Sequence, residues 1–168
     1  MSKAFTKDDG PAEAPIPRRR APLPAGVPNY VTARGLQALR DELAALDAAA
    51  PAGATAVDAQ ARAARRAELE QRIAGAVVTP PPADRTEIRF GAYVRAATSD
   101  GDVRDVRIVG VDEADPAAHA IAFVAPLARA LLGRRVRDVV SVRTPGGEEE
   151  LTVVAVSYDG ENGGDPSV

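Results

Sequence analysis

The 168-residue sequence has no cysteine and no tryptophan, and aromatic residues make up only 4% of it. Without cysteine, disulfides and thiolate-ligated metal sites are excluded, which is typical of proteins in a reducing compartment. No apolar run approaches the roughly 18–20 residues of a membrane-spanning helix, and the N-terminus lacks the apolar stretch of a signal peptide. We therefore expect a cytoplasmic protein with no membrane partner and a core of aliphatic side chains.

Residues that carry chemistry are also scarce. His119 is the only histidine, and a zinc site or a histidine-based catalytic system needs further partners. Asp112, Glu113 and Asp115 cluster just before a proline, and we interpret them as part of a loop. The sequence therefore predicts no catalytic residue, no metal and no cofactor.

Charge is distributed unevenly along the chain. Residues 1–30 carry five basic and three acidic groups, residues 31–79 carry six of each, and residues 80–168 carry ten basic and fifteen acidic groups. An acidic C-terminal part is poorly suited to holding a nucleic-acid backbone on its own. We therefore expect a protein partner for this part of the chain.

The middle of the sequence, residues 30–79, predicts a helical hairpin. After Thr32, which is suited to cap a helix, four leucines follow at helical spacing: Leu36, Leu39, Leu43 and Leu46. Pro51 and Gly53 end this helix, and a second one is expected from about residue 57 to 77. Its apolar stripe consists of Leu69, Ile73 and Ala76. Two such helices joined by a short turn form an antiparallel hairpin, or short coiled coil.

The predicted second helix also has a basic side, formed by Arg62, Arg65, Arg66 and Arg72. Such runs are usually solvated helix faces, but a basic arm can also follow the backbone of RNA or DNA. Contact with nucleic acid at these four arginines is therefore kept as an alternative.

The segments that flank the hairpin are rich in proline or glycine. Residues 1–29 contain six prolines, which favours a disordered arm. Residues 80–85 form a stiff proline linker, and residues 159–168 are expected to be a disordered tail.

Residues 86–158 predict a sheet. Alternating strands flank turns of the Asp-Gly and Gly-Gly type, and Pro126 and Gly133 bound one short helix. In the last strand, strict alternation places Leu151, Val153, Ala155 and Ser157 on one face. The prediction is an α+β chain: a helical hairpin followed by an antiparallel sheet of about five strands with one short helix.

Three segments in this order carry a resemblance to a known family: "NYVTARGLQALRDELAAL", "FGAYVRA…VRIVGVDEAD" and "APLARALLGRRVRDVVSVRTPGGEEELTVVAVSY". Over residues 29–158 the chain resembles the Gre transcript-cleavage factors of bacterial RNA polymerase. The resemblance implies a coiled coil followed by an FKBP-like domain, and a monomeric elongation regulator that binds the polymerase. In that family the domain docks near the secondary channel, and the coiled coil enters the channel. Two acidic residues at its tip help the polymerase to hold a catalytic Mg²⁺.

The sequence departs from the family pattern at the tip and at the docking loop. Ala52 and Thr55 stand where the tip acids are expected, and Asp58 lies about one turn deeper in the helix. The hairpin lacks about twenty residues, which shortens its reach by ~15 Å. The docking loop has no polar side chains ahead of the short helix. Its predicted contact residues are Val124, Ala125, Pro126 and Arg129.

Several interpretations follow from these departures. The chain is a Gre-type elongation regulator, or it occupies the channel without assisting cleavage, or it acts at the channel mouth like the short relatives of the Rnk type. Asp47 and Asp58 facing each other could replace the tip acids. A prolyl isomerase is the remotest alternative, because such a pocket is lined with aromatic residues and this domain offers few: Phe90, Tyr93, Phe123 and Tyr158. We expect no enzymatic activity of the chain itself.

Overall fold

The N-terminal half of the protein is a helical hairpin in the computed structural model, which describes residues 21–48 and 55–158. Helix α1 spans Ala33–Ala48 and helix α2 spans Ala56–Ala74. Arg62 donates to the carbonyls of Leu46 and Asp47, and Arg65 pairs with Glu42. Residue numbers therefore fall along α1 as they rise along α2. The two helices are therefore antiparallel.

The predicted leucine stripe forms the hairpin core. Leu39 and Leu69 are almost completely buried against each other's helix, together with Val31 from the chain just before α1. The remaining members of this cluster are Leu36, Leu43, Leu46, Ile73 and Ala76. Helix α1 begins as predicted, because the backbone N–H of Gly35 donates to the Thr32 hydroxyl at 3.0 Å.

Two short parallel strands close the base of the hairpin, and the sequence did not predict them. Strand β1 (Asn29–Val31) pairs with β2 (Ala76–Val78). The second helix was expected to reach residue 77, but it ends at Ala74, where the N–H of Gly75 donates to the carbonyl of Gln71 at 3.0 Å. The β-branched valines that follow favour a strand. Asn29, which we had assigned to the arm, lies in β1.

The C-terminal half is one five-stranded sheet in the order β5-β4-β3-β7-β6. Its strands are β3 (Tyr93–Thr98), β4 (Val103–Val109), β5 (Ala120–Ala122), β6 (Val139–Thr144) and β7 (Gly147–Ser157). The α+β class is confirmed, but the sheet is mixed and not wholly antiparallel, because β5 pairs with β4 in parallel. Between these strands two 3₁₀ turns, Val111–Glu113 and Pro116–Ala118, bring the chain back so that β5 pairs with the last three residues of β4.

Helix α3 (Pro126–Leu131) covers the inner face of the sheet with the buried side chains of Ala128 and Leu131. The predicted alternation of the last strand holds at Leu151 and Val153, which are buried, and then fails. A bulge shifts the pairing of β7 with β3, so the buried side chain further along is Tyr158 and not Ser157. A bulge adds one residue and reverses the facing of those that follow it.

Candidate functional site

The predicted docking loop forms a tight turn that leads into α3. The N–H of Ala125 donates to the carbonyl of Ala122 at 2.8 Å, and Pro126 occupies the first turn of the helix without a capping side chain at Ala125. Val124 and Ala125 are half-buried, whereas Pro126 and Arg129 are exposed. The four predicted contact residues thus present a surface that is mostly apolar, with a single positive charge.

The docking loop is connected to the hairpin base by three aromatic rings. Phe123, which precedes the loop, lies 5.9 Å from Phe90 and 5.7 Å from Tyr30 of β1, measured between ring centroids. Tyr30 and Phe90 are 6.3 Å apart. Edge-to-face and tilted packing of this kind is favourable for aromatic pairs. The segment just before the docking loop is therefore packed against the base of the hairpin.

The four aromatic residues considered for an isomerase pocket lie in three separate environments. Phe90 and Phe123 pack in the ring cluster, and the Tyr93 ring faces the Arg107 guanidinium at 5.2 Å. Tyr158 is buried, and its hydroxyl donates to the carbonyl of Glu87 and accepts from the N–H of Arg89. Burial is the main reason why the pKa of Tyr158 is raised. The Tyr158 hydroxyl therefore holds the segment around Glu87 and Arg89, where the sheet domain begins.

At the described side of the hairpin tip, Thr55 and Asp58 form a capping box. The Asp58 carboxylate accepts from the Thr55 hydroxyl at 2.7 Å and from the Thr55 N–H at 3.0 Å. The N–H of Asp58 donates back to the Thr55 hydroxyl at 3.2 Å. The hydrogen bond from the Thr55 side chain lowers the pKa of Asp58. The third predicted tip residue, Ala52, lies outside the described residues.

Asp47, the other acid considered for a substitute pair at the tip, is engaged with α2. Its carboxylate forms an ion pair with Arg66 at 2.9 Å, while Arg62 donates to the carbonyls of Leu46 and Asp47 at the end of α1. Within residues 21–48 and 55–158, no group of three or more histidine, cysteine, aspartate or glutamate side chains is arranged to hold a metal ion. The acids near the tip therefore serve helix capping and helix pairing.

The basic side of α2 is engaged with neighbouring acids and carbonyls. Arg65 pairs with Glu42 at 2.5 Å and with Glu68 at 2.8 Å, and Arg66 also pairs with Glu70 at 2.9 Å. Arg72 points towards the sheet and pairs with Asp112 at 2.9 Å. These contacts hold the hairpin together, and they reduce the positive charge that a nucleic acid would meet.

The structure brings together one group of polar residues that we had interpreted as a loop. Asp112 and Glu113, in the 3₁₀ turn after β4, contact Asn29, Thr32 and Arg72 at the hairpin base. The local sequence signal was two adjacent acids directly after the buried end of a strand. Their partners lie 40 to 83 residues away in the sequence. For this reason spacing alone did not reveal the group.

In the part of the chain that the structure describes, no helix is both long and apolar enough to cross a membrane. The family model described as "Transcription elongation factor, GreA/GreB, C-term" matches residues 83–158, which include the whole five-stranded sheet and α3.

Curated relatives extend this match to the hairpin. Transcription elongation factor GreB of Neisseria meningitidis is 35% identical over 153 residues, and the alignment covers 77% of this chain and 94% of that protein. GreB of Yersinia pestis is 40% identical over 82 residues, or 49% of this chain and 48% of that protein. GreA of Acidiphilium cryptum is 38% identical over 96 residues, which are 56% and 61% of the two chains.

Two solved structures are also similar to this chain. A GreA/GreB elongation factor from Nitrosomonas europaea has 23% identity and a TM-score of 0.42, with 77% of this chain and 98% of that chain covered. A Thermus aquaticus Gfh1 protein has 25% identity and a TM-score of 0.41, with 76% and 96% covered. On the identity with the Neisseria protein over nearly its full length, the chain belongs to the GreA/GreB family of transcription elongation factors.

Proposed function

We propose that this protein is a Gre-type regulator of transcription elongation that binds bacterial RNA polymerase in the cytoplasm, acts at its secondary channel and does not assist transcript cleavage. The observation that carries the proposal is the engagement of the acids near the tip. Asp58 caps its own helix, and Asp47 pairs with Arg66. The protein thus has no catalytic residue of its own and no bound cofactor in this proposal.

The chemistry of cleavage assistance explains why these contacts matter. A carboxylate that helps to hold Mg²⁺ must place an oxygen about 2.1 Å from the ion, and Mg²⁺ tolerates little departure from that geometry. The two hydrogen bonds from Thr55 already engage one Asp58 oxygen, Oδ2, at the start of α2. Delivering this oxygen to a metal would break the Asp58 half of the capping box and leave only the bond from the Asp58 N–H to the Thr55 hydroxyl.

The proposed docking surface is the outer side of α3 and its loop: Val124, Ala125, Pro126 and Arg129. Ala128 and Leu131 fix the inner side of this helix in the core, so the outer side is held rigidly. Because the surface carries little charge, we expect its binding to depend only weakly on salt.

A binding experiment tests the proposal. The full chain should retain core RNA polymerase in a pull-down at micromolar concentration, with little change between low and moderate salt. Arg129→Glu should weaken retention, because it places a negative charge in the centre of the surface. Arg143→Glu, an equally exposed arginine on β6, is the matched control and should bind normally. No retention of polymerase by the wild-type chain would refute the proposal.

Contact with RNA or DNA has less support, because the four arginines of α2 are engaged within the chain. A role at the channel mouth remains compatible with a short hairpin, and competition experiments separate it from channel occupancy. A protein that binds polymerase but does not displace a cleavage factor would act at the mouth.

A further inference from the structure

The contact between the hairpin and the sheet contains a fully buried acid. The Asp112 side chain has 0% exposure and forms an ion pair with Arg72 of α2 at 2.9 Å. Its second carboxylate oxygen accepts from the side-chain amide of Asn29 at 2.9 Å. That amide also donates to the backbone carbonyl of Arg72 at 3.1 Å. One carboxylate thus links β1 and α2 to the turn after β4.

The neighbouring acid holds the start of α1. Glu113 accepts from the N–H of Thr32 at 2.8 Å and from the Thr32 hydroxyl at 2.5 Å. The guanidinium of Arg107 in β4 lies 3.6 Å from the same carboxylate. The Glu113 side chain is only 9% exposed, so these bonds are shielded from water and from salt.

Two glycines allow this close approach. A side-chain carbon added at Gly110 would lie 2.2 Å from the carbonyl oxygen of Tyr30, and one added at Gly35 would lie 2.1 Å from the Glu113 side chain. The backbones of the hairpin base and of the turn are therefore in direct contact. The polar bonds are short because nothing separates the two parts.

We infer that Asp112 and Glu113 are positioning residues, and that together they fix the direction in which the hairpin projects from the sheet. We refer to this pair of acids and their partners Asn29, Thr32 and Arg72 as the base clamp. The aromatic contacts of Tyr30 with Phe90 and Phe123 hold the same two parts together. Apolar contact, however, is non-directional, whereas charge-assisted hydrogen bonds require a defined geometry.

The length of the hairpin amplifies a small rotation at the base clamp. Helix α2 has 19 residues, which at 1.5 Å per residue makes a lever of about 28 Å. A rotation of about 10° at its base would displace the tip by about 5 Å, or one helical turn. A hairpin that must enter a narrow channel cannot tolerate such a displacement. The role of the base clamp in fixing the direction of the hairpin does not depend on the proposed function, whereas its consequence for activity rests on that function.

Spin-label distance measurements test the structural part, and the cysteine-free sequence makes them simple. Cysteines are placed at the exposed positions Gln60, near the tip, and Thr152, on the outer face of the sheet. We expect a narrow distance distribution in the parent protein. Asp112→Asn combined with Glu113→Gln should broaden it and shift its mean by several ångströms.

A matched control distinguishes the effect of losing the base clamp from the effect of losing an acid elsewhere in the sheet. Asp105→Asn removes the ion pair with Arg95, which joins two strands within the sheet, and it should leave the distribution narrow. If the double variant fails to fold by circular dichroism, Glu113→Ala alone decides, because it removes both acceptor oxygens for Thr32 and leaves the buried Asp112 with its partners. A distribution as narrow as that of the parent in a folded base-clamp variant would overturn the inference.

The consequence for activity is tested by measuring docking and channel occupancy separately. The double variant should retain core polymerase in a pull-down, because the α3 surface is unchanged. If about a tenth of its molecules hold the competent direction, its apparent affinity for the channel falls about tenfold, with an equal loss of competition against a genuine cleavage factor. A broadened distance distribution together with undiminished competition would refute the proposal that the direction of the hairpin matters for channel occupancy. Failure of the wild type to bind polymerase would refute the proposed function and leave the distance result valid.

Discussion

At the residue scale, the bonding partners of three acids indicate what these acids do in the fold. Asp58 bonds to Thr55, Asp47 to Arg66, and Asp112 to Arg72. Each carboxylate accepts from a donor within the fold, at exposed positions for Asp58 and Asp47 and at a buried one for Asp112, where such a partner is the usual requirement. Their chemistry is therefore structural, and it determines helix ends and the contact between the hairpin and the sheet.

The lowered pKa of Asp58 predicts how its contribution depends on pH. Because the folded state holds the ionised carboxylate with hydrogen bonds from Thr55, the contribution is fully present above the ordinary aspartate pKa of 3.8. It is lost as the pH falls through the lower folded-state value. We expect the difference in unfolding free energy between wild type and Asp58→Ala to shrink on acidification. Urea denaturation at a series of pH values measures it, and a difference that stays constant would contradict the capping box.

Leu39 tests the hairpin core. Its side chain is 1% exposed, so Leu39→Ala should reduce the free energy of unfolding by about 2–4 kcal/mol, the usual cost of a buried leucine truncation. Arg40→Ala, its exposed neighbour, should change that free energy by less than about 0.5 kcal/mol. Denaturation followed by circular dichroism at 222 nm measures both variants. Equal effects of the two substitutions would show that the leucine stripe is not packed as described.

At the element scale, local patterns were predictive and distant pairings were not. The leucines of α1 and the alternation of β6 follow from helix and strand periodicity, and both agree with the observed burial. Strands β1 and β2 have three residues each and pair across the whole hairpin, so no local pattern identifies them. The bulge in β7 arises from its pairing with β3, and the base clamp joins three elements that are remote in the sequence.

The glycine at the base clamp provides an element-scale prediction. Gly110→Ala places a methyl group against the carbonyl of Tyr30, which belongs to the backbone and cannot move away like a side chain. Overpacking of this kind costs about 1–3 kcal/mol. In Gly75→Ala, the matched control, the new carbon would lie 3.4 Å from the carbonyl of Gln71, an ordinary contact. The melting temperatures of the two variants provide the comparison, and an unchanged value for Gly110→Ala would refute the close approach.

At the scale of the whole molecule, we propose that the protein combines a rigid docking module with a hairpin of fixed direction. The five-stranded sheet and α3 carry the proposed contact with polymerase, and the base clamp carries the hairpin in a fixed direction. The family, and a helical hairpin followed by a sheet domain, followed from the order of motifs in the sequence. The proposed mode of action rests on side-chain contacts at the tip and at the base, and these contacts were found in the structure.

Two features of the hairpin, its length and the contacts of its acids, have the same expected effect on transcript cleavage. In the proposed complex a shortened hairpin would leave its tip further from the polymerase active site, and the described acids near that tip are already bonded within the chain. Either feature alone would weaken cleavage assistance, because metal coordination fails with small errors of position. We therefore expect the protein to compete with cleavage factors and not to replace them.

A cleavage assay on stalled, backtracked polymerase complexes tests the central claim most directly. The account predicts that the wild-type protein leaves the transcript at full length, and that it reduces the shortening caused by a genuine cleavage factor in proportion to its concentration. Asp58→Ala should behave in the same way. Robust shortening by the wild type that disappears in Asp58→Ala would contradict the account, because it would place the Asp58 carboxylate at the catalytic metal.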